Sequence, residues 1–295
     1  MSVPPADRLR PHVEIFISKV VERLLEPGLI TRCIYRIGLQ GRLRISEHEL
    51  LLATGRPLPR PLRIAFLSDL HAGSITDPEV FVRLHEQLKG LTPDVLLLGG
   101  DYVGTRATRI HDLIESGLLR WRPPLGIYAV LGNHDHWTDA GYIRRQLEAA
   151  GVEALVNRNI RLPAPFSDVS VCGIDDPWSG EHNVARAFEE AGPVRIFLSH
   201  SPDGLLLLDQ HQFDVCFAGH THGGQVTFAN EVPIISAGGP LVRRYSRGRF
   251  EIPGNGTLLV SRGVGCSTLP FRVNSDPELI LCTLSNRMPD PAPRQ

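Results

Sequence analysis

Apolar positions along the chain follow two regimes that meet near residue 61. Val13, Phe16, Ile17, Val20, Val21, Leu24 and Leu25 recur at helical spacing, with Glu14, Lys19, Glu22 and Arg23 on other faces. This pattern predicts an amphipathic helix over residues 13–25, suited either to packing on protein or to shallow attachment to a bilayer. Pro57, Pro59 and Pro61, with Arg60 among them, then mark a linker. From Arg63 onward, short apolar runs alternate with helical patterns, the signature of an α/β fold. Strands are expected at 64–67, 95–98, 127–131, 169–173, 195–198, 215–218 and 279–284, with a hairpin across 246–262 turning at Asn255 and Gly256. Helices are expected from Thr76 or Asp77 to about Gly90, from Thr138 to Ala150, and between Asn183 and Glu190. The chain therefore divides into a helical extension and linker at 1–60, one α/β domain at 61–287, and a proline-rich disordered tail at 288–295.

The residues just past these strands change the picture. The first strand runs into Ser68-Asp69-Leu70-His71, the second into Gly99-Gly100-Asp101, and the third into Gly132-Asn133-His134-Asp135. Two later ones end in Ser199-His200 and in Gly219-His220-Thr221-His222. Open α/β sheets collect ligands at the carboxyl ends of their strands, so five remote segments would deliver polar groups to one place. Taken singly, each is ordinary: an aspartate caps a helix, Gly-Asn makes a turn, a histidine hydrogen-bonds to scaffold. Taken together they form a set of imidazoles and carboxylates of the kind that binds borderline divalent metals.

Charge and cysteine content narrow the class. A formal net charge of -1 and a pI near 6.9 give no general attraction to polyanions, so no nucleic-acid partner is indicated and any phosphate recognition must be local. Cys33, Cys172, Cys216, Cys266 and Cys282 are odd in number and widely spaced, and read as buried thiols in a reducing compartment. No secretory signal is expected, and no segment approaches the roughly 20 uninterrupted apolar residues of a bilayer span. The expectation is a cytoplasmic protein, with peripheral contact to the inner membrane through residues 13–25 as the one membrane option.

The five blocks, in this order, resemble the signature of the calcineurin-like metallophosphoesterase superfamily: Asp-x-His, Gly-Asp, Gly-Asn-His-Asp, a lone histidine and Gly-His-x-His, spread over residues 63–285. The resemblance implies an α/β fold of two facing mixed β-sheets flanked by helices, a four-layer αββα sandwich. It implies two metal ions, one held by Asp69, His71 and His222, the other by Asn133, His200 and His220, with Asp101 bridging them. Manganese or iron is expected foremost and zinc or magnesium is admitted, because mixed nitrogen and oxygen donors discriminate weakly among these ions. Two cations ~3.5–4 Å apart lower the pKa of a shared water, whose hydroxide would attack phosphorus in line. His134, beside a ligand but assigned to neither ion, is the candidate to protonate the leaving oxygen.

Departures from the pattern bear on substrate. Protein phosphatases of this superfamily continue from Gly-Asp through Asp-Arg-Gly, whereas this chain reads Asp101-Tyr102-Val103-Gly104-Thr105-Arg106. The missing carboxylate argues against a protein phosphatase and leaves Asp135 or Asp139 as candidates to orient His134. The runs at 219–225 and 261–265, followed by Pro270-Phe271-Arg272, look like a bacterial, envelope-associated phosphodiesterase branch, some of whose members cleave UDP-diacylglucosamine. The expected substrate is a phosphodiester or phosphoric anhydride, with a lipid-linked pyrophosphate and a phosphomonoester as alternatives. Arg262 and Arg272 are candidate phosphate contacts, Trp137 is a candidate cleft wall, and Asp175-Asp176 reads as a turn.

Overall fold

Both faces of each central strand are apolar, so each sheet must be covered on two sides, and the alternation of side chains decides what covers it. A computed structural model describes residues 5–52, 58–229, 232–234 and 237–286, with side chains from residue 12 onward. Numbered in chain order, the first sheet runs β1 (Arg44–Leu51), β12 (Glu278–Ser285), β2 (Leu62–Leu67), β3 (Val95–Leu98), β4 (Ile127–Ala129) and β5 (Glu153–Ala154). The second runs β10 (Gly248–Glu251), β11 (Thr257–Val260), β9 (Val215–Ala218), β8 (Val194–Leu198), β7 (Val169–Gly173) and β6 (Arg158–Arg161). The central strands β2, β3 and β4 are parallel to one another, as are β7, β8 and β9, so their carboxyl ends emerge on one edge of each sheet.

The layers follow from period two. Ile64 and Phe66 of β2 and Leu97 of β3 face Val171, Ile196, Val215 and Phe217 of the second sheet across a shared core. Their neighbours Ala65, Leu67, Leu96 and Leu98 point the other way, onto α3 (Glu79–Leu91), α4 (Ile110–Glu115) and α6 (Ala140–Ala149). Phe197, Cys216 and Ala218 face outward from the second sheet, against Val184, Ala187 and Phe188 of α7 (Val184–Phe188). The result is the αββα sandwich that the motif order implies. Two further helices, α1 (Pro5–Leu25) and α2 (Leu29–Arg36), precede the first sheet, and none of the described helices is long and apolar enough to cross a membrane.

Two expectations are corrected and one helix boundary is refined. Residues 44–51 are not linker but strand β1, paired in parallel with β12 from Arg44↔Glu278 to Leu51↔Ser285, so the sheet begins well before residue 61. Its charged sequence hides it, because an edge strand exposes most of its side chains. The helix expected over Thr138–Ala150 is present as α6, with Asp139 capping it by accepting the Tyr142 N–H at 2.8 Å, and a separate short helix, α5 (Asn133–Thr138), precedes it. Cys33, expected to be buried, is exposed on α2, while the other four thiols are buried. The expected tail at 288–295 and Pro57 of the proline linker lie outside the described residues, whereas Pro59, Arg60 and Pro61 lie within them.

Phe217 is fully buried between the sheets, its ring 5.2 Å from that of Phe66. Phe217→Ala is expected to lower unfolding free energy by about 3–5 kcal/mol, read from urea denaturation; a loss under about 1 kcal/mol would mean that the two sheets re-pack around the cavity.

Candidate metal centre

The facing sheets each contribute strand ends to one rim. Asp69 and His71 follow β2, Asp101 follows β3, Asn133 and His134 follow β4, His200 follows β8, and His220 and His222 follow β9. The backbone there is strained. Asp69, His71, Asp101, His220 and His222 all have positive φ, between 44° and 69°, a region that side-chain-bearing residues rarely occupy. Five of the seven predicted ligands share this conformation, and such strain persists where surrounding structure over-determines it. Gly132 is needed for close approach: a Cβ there would lie 2.3 Å from the Asp101 Oδ1.

All seven predicted ligands converge, buried. Asp69, His71 and His222 place ligand atoms within 4.8 Å of one another, and Asp101, His200 and His220 form a second such group. The Asp101 Oδ2 lies 3.5 Å from the His71 Nε2 and 3.4 Å from the His200 Nε2, between the two groups. Asn133 Oδ1 is 3.0 Å from the His200 Nε2. Backbone carbonyls set two of the tautomers: His200 donates from Nδ1 to Gly99 O at 2.7 Å, and His220 donates from Nε2 to Gly238 O at 2.9 Å. Each therefore turns its remaining nitrogen inward, His200 through Nε2 and His220 through Nδ1, 3.2 Å apart. Once the His200 Nε2 proton is displaced, these two nitrogens and the buried carboxylate beside them would suit a shared cation. The donor set thus fits divalent metal ions on its own geometry.

Electrostatics point the same way. Burial pushes His71 and His222 well below the usual imidazole range, and burial together with His200 brings His220 to about 4. Burial also opposes charge on His200, yet Asp101 outweighs it and holds that imidazole's proton well above the usual range. Burial raises Asp69 to about 6. Without cations His200 holds a proton where a metal ligand needs a lone pair, while burial keeps His71, His220 and His222 neutral.

His134 forms a third close group with His71 and Asp101, its ring meeting that of His71 edge-on at 4.7 Å, but both of its nitrogens face other groups. Its Nδ1 donates to Gly104 O at 3.1 Å, and its Nε2 lies 3.7 Å from a carboxylate oxygen of Glu14, on α1. Burial opposes its charging, but Asp101 and Glu14 overcome this and lift it to about 9. The two carboxylates expected to orient it do other work. Asp135 accepts from the backbone N–H groups of Asp101, Tyr102 and Gly132 at 2.8–2.9 Å, and Asp139 caps α6. A carbonyl, Gly104 O, stands where a carboxylate was expected.

The two arginines also fall elsewhere. Arg272 is buried behind His222, and its guanidinium donates to Gly265 O, Arg262 O, Ser275 O and the His222 Nδ1, which leaves no edge for phosphate. Arg262 faces Glu278 at 3.5 Å. Trp137 lies against His134, ring centroids 4.6 Å apart and planes tilted by 47°, and donates from Nε1 to Ser179 Oγ at 3.0 Å. Asp176 makes the expected turn, accepting the N–H groups of Trp178 and Ser179 at 3.1 and 2.6 Å. Sequence reading missed Glu14 and the pairing of His136 with Asp175 at 2.7 Å; helical periodicity placed Glu14 off the apolar stripe but not what it meets.

Comparison with known proteins is consistent with this site. Residues 62–224, more than half the chain, match the family model described as calcineurin-like phosphoesterase. The chain is 30% identical over 240 residues to the phosphodiesterase YaeI of Escherichia coli, covering 76% of this chain and 82% of that protein. It is 29% identical over 232 residues to the metallophosphoesterase YkoQ of Bacillus subtilis, covering 76% and 84%. It is 27% identical over 278 residues to the UDP-2,3-diacylglucosamine pyrophosphatase LpxG of Chlamydia trachomatis, covering 75% and 82%.

Because the His200 pKa is raised, a cation must expel its proton at neutral pH, so metal affinity should fall as pH falls. Calorimetric titration of the metal-free protein with manganese, in buffers of different ionisation enthalpy, should show net proton release at about pH 7. Affinity that stays constant between about pH 6 and about pH 8 would remove His200 from the ligand set.

Proposed function

The chain belongs to the calcineurin-like phosphoesterase family, and from that premise we propose that it hydrolyses a phosphodiester or phosphoric anhydride at a two-cation centre held by Asp69, His71, Asp101, Asn133, His200, His220 and His222. The observation that carries the reading is the position of Asp101, with one carboxylate oxygen between His71 and His200, the innermost groups of the two clusters. Divalent cations bound there would activate a water and neutralise charge on the phosphoryl oxygens. The donor types favour manganese or iron without excluding zinc or magnesium.

The chain's own residues supply orientation and a proton. Asp101 is held rigidly, its backbone N–H on Asp135 at 2.8 Å and its Oδ1 accepting from the His134 N–H at 2.8 Å. His134, anchored through Nδ1 to Gly104 O, would give the leaving oxygen the proton on its Nε2, which faces the Glu14 carboxylate at 3.7 Å. Its raised pKa keeps it protonated at neutral pH, the state a general acid needs. Arg272 is engaged with protein groups and offers phosphate no free edge. The preference for a diester or anhydride over a monoester rests on the phosphodiesterase-like branch that the motifs resemble. The relatives named as a phosphodiesterase and a pyrophosphatase agree in kind.

A second reading, hydrolysis of a lipid-linked pyrophosphate such as UDP-diacylglucosamine, draws on α1: the helix that brings Glu14 to His134 also presents exposed Phe16 and Leu24. An assay panel with manganese, comparing an aryl diester, an aryl monoester and UDP-diacylglucosamine, separates the readings. Diester turnover should dominate over monoester; the reverse order overturns the proposal. His134→Ala should retain bound metal and lose about 10²–10⁴-fold in kcat, and full turnover of the metal-loaded variant would remove His134 from the mechanism.

A further inference from the structure

α1 has two unlike faces. Its inner face meets the loops that carry the metal-centre residues: Glu14 reaches His134, Ser18 Oγ lies 3.0 Å from Thr268 Oγ1, and Glu22 is buried against Gly73 and Gly104, accepting from Thr105. Just past the helix, Glu26 pairs with Arg106 at 2.6 Å. The outer face carries Val13, Phe16, Ile17, Val20 and Leu24, at helical spacing and all exposed, Phe16 by 68% and Leu24 by 70%. Leu29 and Ile30 at the start of α2 continue the exposed apolar surface.

The charges are sorted along the same division. Within residues 12–42 the three carboxylates, Glu14, Glu22 and Glu26, all contact groups of the domain. The five cations, Lys19, Arg23, Arg32, Arg36 and Arg42, are exposed; Arg32 lies 3.8 Å from Asp77, Arg23 is near enough to Glu26 to help lower its pKa, and the Arg42 backbone N–H reaches Asp276. An apolar stripe bordered by cations, with the acids turned away, complements a surface that is apolar inside and anionic at its edge. Self-association fits less well: an isologous pair would cover the apolar stripe but set Lys19 and Arg23 near their own copies. We propose that the outer face of α1, extended by the start of α2, docks on an anionic lipid bilayer, which would hold the metal centre against the membrane surface. The proposal rests on exposure and charge and is independent of which ester is cleaved.

Vesicle flotation of the full chain tests it, with phosphatidylcholine vesicles compared against phosphatidylcholine–phosphatidylglycerol vesicles. The protein should float with the anionic vesicles and be released by salt. Phe16→Asp with Leu24→Asp should cut the bound fraction about tenfold, and Lys19→Glu with Arg23→Glu should do the same for anionic vesicles, each at an unchanged thermal midpoint. Failure to float, or flotation that neither double variant weakens, overturns the proposal. So does a wild-type dimer in sedimentation equilibrium that the apolar-face variant dissolves, since a second copy would then cover this face.

Discussion

A buried carboxylate set among imidazoles, on the seam between two sheets, is the constraint around which this molecule is organised. Asp101 cannot be left there alone, because an uncompensated charge in a dry interior is costly. The fold answers with neighbours. Asp135 braces its backbone, the His134 N–H holds one oxygen, and His71 and His200 flank the other at 3.5 and 3.4 Å. In the absence of metal His200 and His134 serve as counter-ions to Asp101, while burial keeps His71 and His222 neutral. Divalent cations are better ones, and the same groups that need them are the groups able to bind them.

Holding this arrangement demands a rigid frame, since five of the seven candidate ligands adopt left-handed backbone. Two sheets with apolar side chains on both faces provide it: the inter-sheet layer fixes the strands, and the outer helices fix the sheets. The ligand residues sit on the first turns beyond strands whose positions are over-determined, which limits how far strain can relax. α1 adds a second level of control, because a carboxylate from near the start of the chain stands 3.7 Å from the His134 Nε2.

How much of this the amino-acid order discloses depends on the range of the interaction. β2, β3, β8 and β9 are legible because their apolar runs are short, unbroken and followed at once by the ligand residues. The four-layer sandwich and the seven-residue cluster came from the order of five motifs, since no local pattern reports which strand ends meet. β1 was hidden, as its eight residues are mostly charged or polar and its partner β12 lies more than 230 positions away. Arg272 misled because a guanidinium looks alike in sequence whether it meets phosphate or, as here, carbonyls that only the fold brings near. The orienting partner of His134 escaped notice for the same reason: Gly104 contributes a backbone oxygen, which no side-chain motif can announce.

The central claim is that Asp101 joins two cations into one centre. Anomalous diffraction at the manganese edge, from crystals grown with manganese, measures this directly. The account requires two peaks about 3.5–4 Å apart, both within coordinating distance of Asp101; a single peak, or peaks away from Asp101, would contradict it.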